Sequence, residues 1–207
     1  MPNSWLIASA LIGYFLGSLP FGYLVAKAHG VDIFKVGSGN PGATNVKRVL
    51  GARAGNTVFA LDAVKGAVAA GWPYLAFAPS PEVRLMGLVG VIAAVLGHSF
   101  SVFTKFRGGK GVATAAGGLV VLMPVSCLIG AGVWALTFLV TRYVSLGSIL
   151  AAVAVPLASW VRGNPLPLNV VATILGLFVI IRHRENLKRL LNGTENKFAK
   201  NSAPPAS

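Results

Sequence analysis

The sequence predicts an all-α polytopic integral membrane protein. It reads as seven transmembrane helices, N-terminus outside, C-terminus cytoplasmic, with its polar stretches gathered at the cytoplasmic face. Three observations predict this. First, 55% of the 207 residues are hydrophobic and only 11% charged, with mean hydropathy +0.71. A soluble domain carries about 25% charged residues, so this chain has too few to cover a surface facing water. Second, its 18 Lys and Arg, set against 5 Asp and Glu, sit in short stretches between apolar runs. Third, the placement of those basic residues selects one topology.

The spans follow in order. Residues 5–26 are apolar, about one bilayer thickness. No Lys or Arg precedes them and Lys27 follows at once, the reverse of a secretory signal peptide, so this is a retained span. Gly13 and Gly17 form a GxxxG pair suited to close helix packing, and Pro20 with Gly22 predicts a kink. A polar stretch, 27–54, carries Lys27, Lys35, Lys47, Arg48 and Arg53. Residues 55–78 are apolar apart from Asp62 and Lys65. A Pro/Ser-rich link leads to a span at 84–103 and a basic loop at 104–111. Residues 112–140 are uncharged, 146–161 and 168–181 are apolar, and the tail 182–207 is polar and basic.

The stretch 112–140 decides the count. Taken as one span, it leaves 9 basic residues inside and 8 outside. Divided near Pro124 into 112–123 and 124–140, it leaves 15 inside and 2 outside, Arg84 and Arg162, with Lys65 in the membrane. The positive-inside rule selects the division. Twenty-nine residues then give two helices of roughly 20 Å, so at least one is shortened, tilted or buried among neighbours. There is no convincing internal repeat and no separate soluble domain: residues 1–207 read as a single membrane domain.

The charge and cysteine content narrow the chemistry. A basic chain with charges between spans faces anionic headgroups or phosphorylated substrates, not nucleic acid. Five carboxylates leave little for a Mg²⁺ or Ca²⁺ cage, so no metal or other cofactor is expected. The single Cys127 has no disulfide partner within the chain.

Three polar segments carry candidate chemistry. GSGNPGATNVKR, 37–48, combines turn residues with small side chains that let backbone N–H groups approach an anion. Gly37, Asn40 and Gly42 open the backbone. Ser38, Thr44 and Asn45 add donors, and Thr44 or Asn45 is placed to cap a following helix, with Arg48 on its first turn. GHSFSVFTKFRGGKGVAT, 97–114, sets Lys110 among Gly108, Gly109 and Gly111, a phosphate-friendly arrangement without the P-loop spacing. His98 ends the preceding apolar run. YVSLGS, 143–148, holds Ser145 and Ser148, and HRENLKRLLNGTE, 183–195, predicts a short helix ended by Gly193. His183 and Asn186 share a face of it. Asp62 and Lys65, also i,i+3 neighbours, form an intramembrane pair that is either functional or a self-neutralising tie.

These segments, quoted in that order, resemble the three motifs of the bacterial membrane acyl-phosphate:glycerol-3-phosphate acyltransferase family. The resemblance runs from about residue 10 to 195; position 107 is Arg where Lys is the commoner residue. It implies transfer of a fatty acyl group from acyl-phosphate to the 1-hydroxyl of sn-glycerol 3-phosphate in the bacterial inner membrane. The products are lysophosphatidic acid and phosphate, and the reaction opens phospholipid synthesis. Ser38, His183 and Asn186 are then catalytic. Gly37, Asn40, Gly42, Thr44, Asn45, Arg48, Gly108, Gly109, Lys110, Arg184 and Arg189 bind phosphates, and Lys65, His98, Ser145, Ser148 and Glu195 support them. An acyl-phosphate is a mixed anhydride with a good leaving group, so orientation and oxyanion stabilisation are the main tasks. The proton acceptor for the glycerol hydroxyl is His183, His98 or a substrate phosphate. No Asp or Glu stands in the motif of Ser38 to build a triad, so Ser38 positions a substrate and is not a covalent nucleophile.

The residues also argue against other acyl-transfer and phosphotransfer chemistries. No histidine begins an H-x-x-x-x-D: the fifth residues on are Phe34, Phe103 and Lys188. Asp32 and Asp62, the only aspartates, are too few for a CDP-alcohol phosphotransferase. The competing class is a transporter or channel for phosphorylated anions, which the Gly-rich breaks and the Asp62–Lys65 pair would fit.

Overall fold

The computed structural model describes residues 3–198; the end of the predicted tail, 199–207, lies outside the described residues. The described residues form nine α-helices and one 3₁₀ turn, with no strand among them. The chain folds as two compact units, Met1–Pro124 and Val125–Ser207.

In the first unit, α1 (Ser4–Ser18) and α2 (Phe21–Ala28) together cover the first expected span. They break at Pro20, which lacks the N–H that a continuous helix needs. Helix α4 (Pro81–Ser99) starts with Pro81 at its first position, and the Val83 N–H donates to the Ser80 hydroxyl. Helices α1 and α4 approach closely along the GxxxG face. A Cβ on Gly13 would overlap the carbonyl oxygen of Gly90, and one on Gly17 that of Ala94. Small residues on both sides let the backbones touch, as membrane helices require when lipid offers no hydrophobic drive to associate.

Helix α3 (Ala43–Ala76) begins inside the expected polar stretch. Gly51, at φ 88° and ψ 177°, divides it into a short helix and a long one. That conformation is open to glycine and strained for residues with a Cβ. The long part covers the expected 55–78 span and ends at Ala76. Helix α5 (Val112–Leu122) follows the 3₁₀ turn Val102–Thr104. It packs on α3, where a Cβ on Gly117 would strike the Ala63 carbonyl and one on Gly66 that of Thr114.

The second unit holds α6 (Pro124–Thr141), α7 (Val144–Val161), α8 (Leu166–Arg182) and α9 (Arg184–Leu191). Trp134 of α6 donates from Nε1 to Ser148 Oγ of α7 and stacks on Phe138 at 5.3 Å between centroids. At the other end of α7, the Ser159 hydroxyl donates to Asn169 Oδ1 at 2.6 Å, and Asn169 Nδ2 donates to the Asn164 carbonyl. This closes the α7–α8 link with its buried polar groups satisfied.

Helical segments lie within each of the seven expected spans, with α1 and α2 sharing the first and α4 ending at Ser99, and α6 starts at Pro124. Among the described residues, four segments are long and apolar enough to cross a membrane on their own: Ser4–Ala28, Pro81–Thr104, Pro124–Thr141 and Val144–Val161. A fifth arises if α8 and α9, bent by 58°, are one broken span. Helix α5 is apolar but short, and α3 carries Asp62 and Lys65. The division expected at 112–123 and 124–140 falls within one residue of the observed helices, Val112–Leu122 and Pro124–Thr141, so the two are unequal and α5 is the shortened one. Eleven residues in α5 give about 16 Å and eighteen in α6 about 27 Å, because Pro124 starts a helix that runs to Thr141.

Candidate active site

The segment 37–48 is built around Asn45. Its Oδ1 accepts the Ser38 N–H at 2.9 Å, and its Nδ2 donates to the Val36 carbonyl at 3.1 Å. Asn40 Oδ1 accepts the Gly42 N–H at 2.8 Å. Gly37, at φ 58°, lies against Asn45 Oδ1, where a Cβ would overlap it. The segment is seated on a core of Ala26, Ile33, Val46, Ala54 and Val58.

Neither expected cap is used. Gly42 is the N-cap of α3, and Thr44 and Asn45 lie within the first turn. Asn45 turns back to the preceding loop because its amide can bond a donor and an acceptor at once. Arg48 falls on the second turn of α3, not the first, and is half-buried. Its neighbour Lys47 is exposed, with Nζ 3.5 Å from Asn56 Oδ1.

The second segment wraps the end of α4. The Ser101 hydroxyl donates to the Ser18 carbonyl at 2.6 Å and accepts from the Phe103 N–H. Lys105 and Phe106 adopt left-handed conformations that reverse the chain. Arg107 places its guanidinium 4.2 Å over the Phe34 ring, a cation–π contact that ties this loop to residues 31–36. The Gly109 N–H donates to the His98 carbonyl at 3.2 Å. Lys110 immediately precedes Gly111, the N-cap of α5, so its backbone lies at the positive end of that helix.

Asp62 and Lys65 pair at 2.8 Å, both buried. The sequence predicts that pair, but not its neighbours. Lys65 Nζ also donates to the Leu19 carbonyl at 2.9 Å, an acceptor exposed by the α1–α2 break, and His98 Nδ1 lies 3.5 Å from Asp62 Oδ1.

In the second unit, Glu195 gathers the third motif. Its Oε1 accepts from the Ser145 hydroxyl and from Asn186 Nδ2, each at 2.8 Å. Its Oε2 accepts from Arg189 Nε at 2.8 Å. Burial raises the Glu195 pKa. The hydrogen bonds from Asn186, Arg189 and Ser145, with the Arg189 charge, outweigh burial and hold it below the ordinary carboxylate range. The hub role of Glu195 was not legible, although a lone carboxylate after the Gly193 turn in so basic a tail was a signal. Arg189, expected on a phosphate, is engaged by Glu195. Arg184 lies on the exposed face, 3.6 Å from Glu185. Ser148 bonds the Val144 carbonyl and Trp134, and so joins α6 to α7.

His183 Nδ1 stands 2.8 Å from the Val179 carbonyl. A carbonyl accepts only, so Nδ1 carries the proton and the basic lone pair of the neutral ring is at Nε2. Asn186 lies one turn further along, fixed by Glu195.

These features define a class: an integral membrane protein whose helices carry glycine-opened, basic loops suited to phosphorylated ligands. The glycerol-3-phosphate acyltransferase family model matches residues 7–193. A glycerol-3-phosphate acyltransferase of Aquifex aeolicus is 45% identical over 91% of this chain and 96% of its own length. One of Bacillus velezensis is 43% identical over 91% and 95%, and one of Symbiobacterium thermophilum 40% over 97% and 98%. Among solved structures, the integral membrane glycerol 3-phosphate acyltransferase PlsY (YgiH), in its glycerol 3-phosphate form, superposes with TM-score 0.88 at 43% identity, covering 94% of this chain and 96% of that one. Its lysophosphatidic acid form gives 0.83 at 42%. The chain belongs to the glycerol-3-phosphate acyltransferase family, and it is an enzyme that acylates glycerol 3-phosphate. That sets aside the transporter reading.

Proposed function

We propose that the acyl donor is an acyl-phosphate and that the acyl group goes to the 1-hydroxyl of glycerol 3-phosphate. The observation that carries this is the presence, in one compact unit, of two separate glycine-opened loops, each with its own cation. Residues 37–42 lead to Arg48, and residues 108–111 present Lys110 at the start of α5. The acceptor needs one phosphate site. A second site supports a phosphorylated donor. PlsY, the structural neighbour, is described with glycerol 3-phosphate and with lysophosphatidic acid, which are acceptor and product of this reaction.

In this reading Gly37, Ser38, Asn40, Gly42, Thr44 and Asn45 form one anion-binding loop with Arg48, and Gly108, Gly109 and Lys110 form the other. Asn186, set by Glu195 and Ser145, orients glycerol 3-phosphate, with Arg184 and Arg189 adding positive potential. The 1-hydroxyl oxygen attacks the acyl carbonyl. Its proton passes to His183 Nε2 or to a substrate phosphate oxygen. The new ester C–O bond forms, the acyl carbon–oxygen bond to phosphate breaks, and inorganic phosphate leaves. No metal or other cofactor enters the scheme. We place the enzyme in the bacterial cytoplasmic membrane with seven spans, N-terminus outside and both loops and the tail inside. The 15-to-2 charge split supports this.

Purified enzyme in detergent, offered palmitoyl-phosphate or palmitoyl-CoA with glycerol 3-phosphate, tests the donor. Turnover with palmitoyl-phosphate alone is expected; comparable turnover with palmitoyl-CoA removes the assignment. Cysteine labelling of Ser4→Cys and Ser207→Cys tests the topology, because an odd number of spans requires labelling from opposite sides.

A further inference from the structure

The Asp62, Lys65 and His98 cluster lies outside the three loops' own hydrogen bonding, yet it touches one of them. Asp62 and Lys65 come from α3 and His98 from the last turn of α4. Asp62 Oδ1 faces Lys65 Nζ at 2.8 Å and His98 Nδ1 at 3.5 Å. Lys65 is fixed in turn by the Leu19 carbonyl. One edge of the imidazole thus faces the Asp62 carboxylate. Its other edge meets the glycine loop, where a Cβ on Gly109 would overlap His98 Nε2. The main chain of His98 is engaged as well: its carbonyl accepts the Gly109 N–H, and a Cβ on Gly108 would overlap that same oxygen. Both glycines are thus small because they lie on His98. The next residue is Lys110.

We propose that His98 is a positioning residue for the phosphate loop: oriented by Asp62, it is the platform on which Gly108 and Gly109 rest, and it thereby fixes where Lys110 and the α5 N-terminus present their positive charge. The buried Lys65 balances Asp62, so that Asp62 can hold a ring edge inside a membrane span without an uncompensated charge. This rests on the reading of residues 108–111 as a phosphate site. It goes further in assigning the loop's geometry to a buried group one helix away. A misplacement of about 1 Å at a binding group costs up to roughly 100-fold in rate, so a platform residue is as consequential as the group it supports.

The test is a double-mutant cycle in purified enzyme, reading KM for each substrate, kcat and the unfolding midpoint. Lys110→Ala first identifies the substrate whose KM depends on the loop. His98→Ala should raise the same KM by about 10- to 100-fold, and His98→Asn, whose amide can replace Nδ1–H toward Asp62, should restore most of it. In the Lys110→Ala background, His98→Ala should add less than about twofold, because it acts through that lysine. Gly109→Ala should mimic His98→Ala alone and add little on top of it, since the ring it would strike is gone. If His98→Ala does not fold, Gly109→Ala and His98→Asn carry the comparison. Independent, multiplicative losses overturn the proposal. So does abolished kcat at unchanged KM with an altered pH profile, which would make His98 the base. A wild-type KM in Lys110→Ala removes the phosphate-loop reading itself, and the proposal falls with it.

Discussion

Replacing Glu195 perturbs the third motif at its centre. Glu195→Ala leaves the Ser145 hydroxyl and Asn186 Nδ2 without their common acceptor, and both residues are buried. Each such donor costs about 1–3 kcal/mol. Arg189, on the solvent side, loses a bond worth about 0–1 kcal/mol. Together these put the variant near 4 kcal/mol, a fall in unfolding midpoint of roughly 8–16 °C for a chain of this size. Glu195→Gln is a milder perturbation. Its amide offers one carbonyl oxygen, so either Arg189 or the Ser145–Asn186 pair meets a donor, at about 1–3 kcal/mol. Turnover at a temperature where both variants are folded should also fall, because Asn186 loses its fixed orientation. The pH dependence has a definite sign. The Glu195 pKa is lowered in the folded chain. Its stabilising effect is therefore complete above the ordinary glutamate value of about 4.3 and is lost as pH falls through the lower folded value. Wild type should lose more stability across that acid range than Glu195→Gln. Thermal unfolding in detergent by intrinsic fluorescence, repeated across pH, reads all of this. An unchanged midpoint with wild-type kcat in Glu195→Ala would refute the reasoning.

Other outcomes follow from the same geometry. Arg48→Ala should cost roughly 2–4 kcal/mol in kcat/KM, whereas exposed Lys47→Ala should cost far less; equal effects would indicate loop charge in general. Asn45→Ala releases both the Ser38 amide and the Val36 carbonyl and should cost about 1–3 kcal/mol in stability, with Asn45→Asp, which keeps only the acceptor, between it and wild type by unfolding midpoint. His183→Gln keeps a donor but cannot titrate. If turnover vanishes with unchanged substrate binding, the imidazole is the base. If activity and its pH profile persist, His183 is not the base, and His98 or the substrate phosphate takes the proton.

Much of this fold was legible because its signals are local. Apolar runs gave the helices, Pro20 and Pro124 gave the breaks, and Asp62–Lys65 followed from their i,i+3 spacing. The unequal lengths of α5 and α6 follow from Pro124, which the sequence marks within an otherwise uniform apolar run; the close packing of α5 on α3 through Gly66 and Gly117 was not legible, because it joins residues about fifty positions apart. Gly51 was missed because glycine within a helical pattern does not announce a positive φ. At the site, residue types and motif order singled out the three segments that the proposed chemistry uses. The contacts that shape them were hidden because they join distant residues: His98 to Asp62, Arg107 to Phe34, Glu195 to Ser145. Asn45 was read as a cap because its position suits one; the structure instead uses both ends of its amide to hold the preceding loop.

The central claim is that acyl transfer to glycerol 3-phosphate is coupled to the loss of phosphate from the donor. The most direct measurement is a product balance with purified enzyme and palmitoyl-phosphate, following lysophosphatidic acid and inorganic phosphate in the same reaction. The account predicts one phosphate released for each lysophosphatidic acid formed, with both products requiring glycerol 3-phosphate. Lysophosphatidic acid formed without an equal release of phosphate, or phosphate released at the same rate when glycerol 3-phosphate is absent, would contradict it.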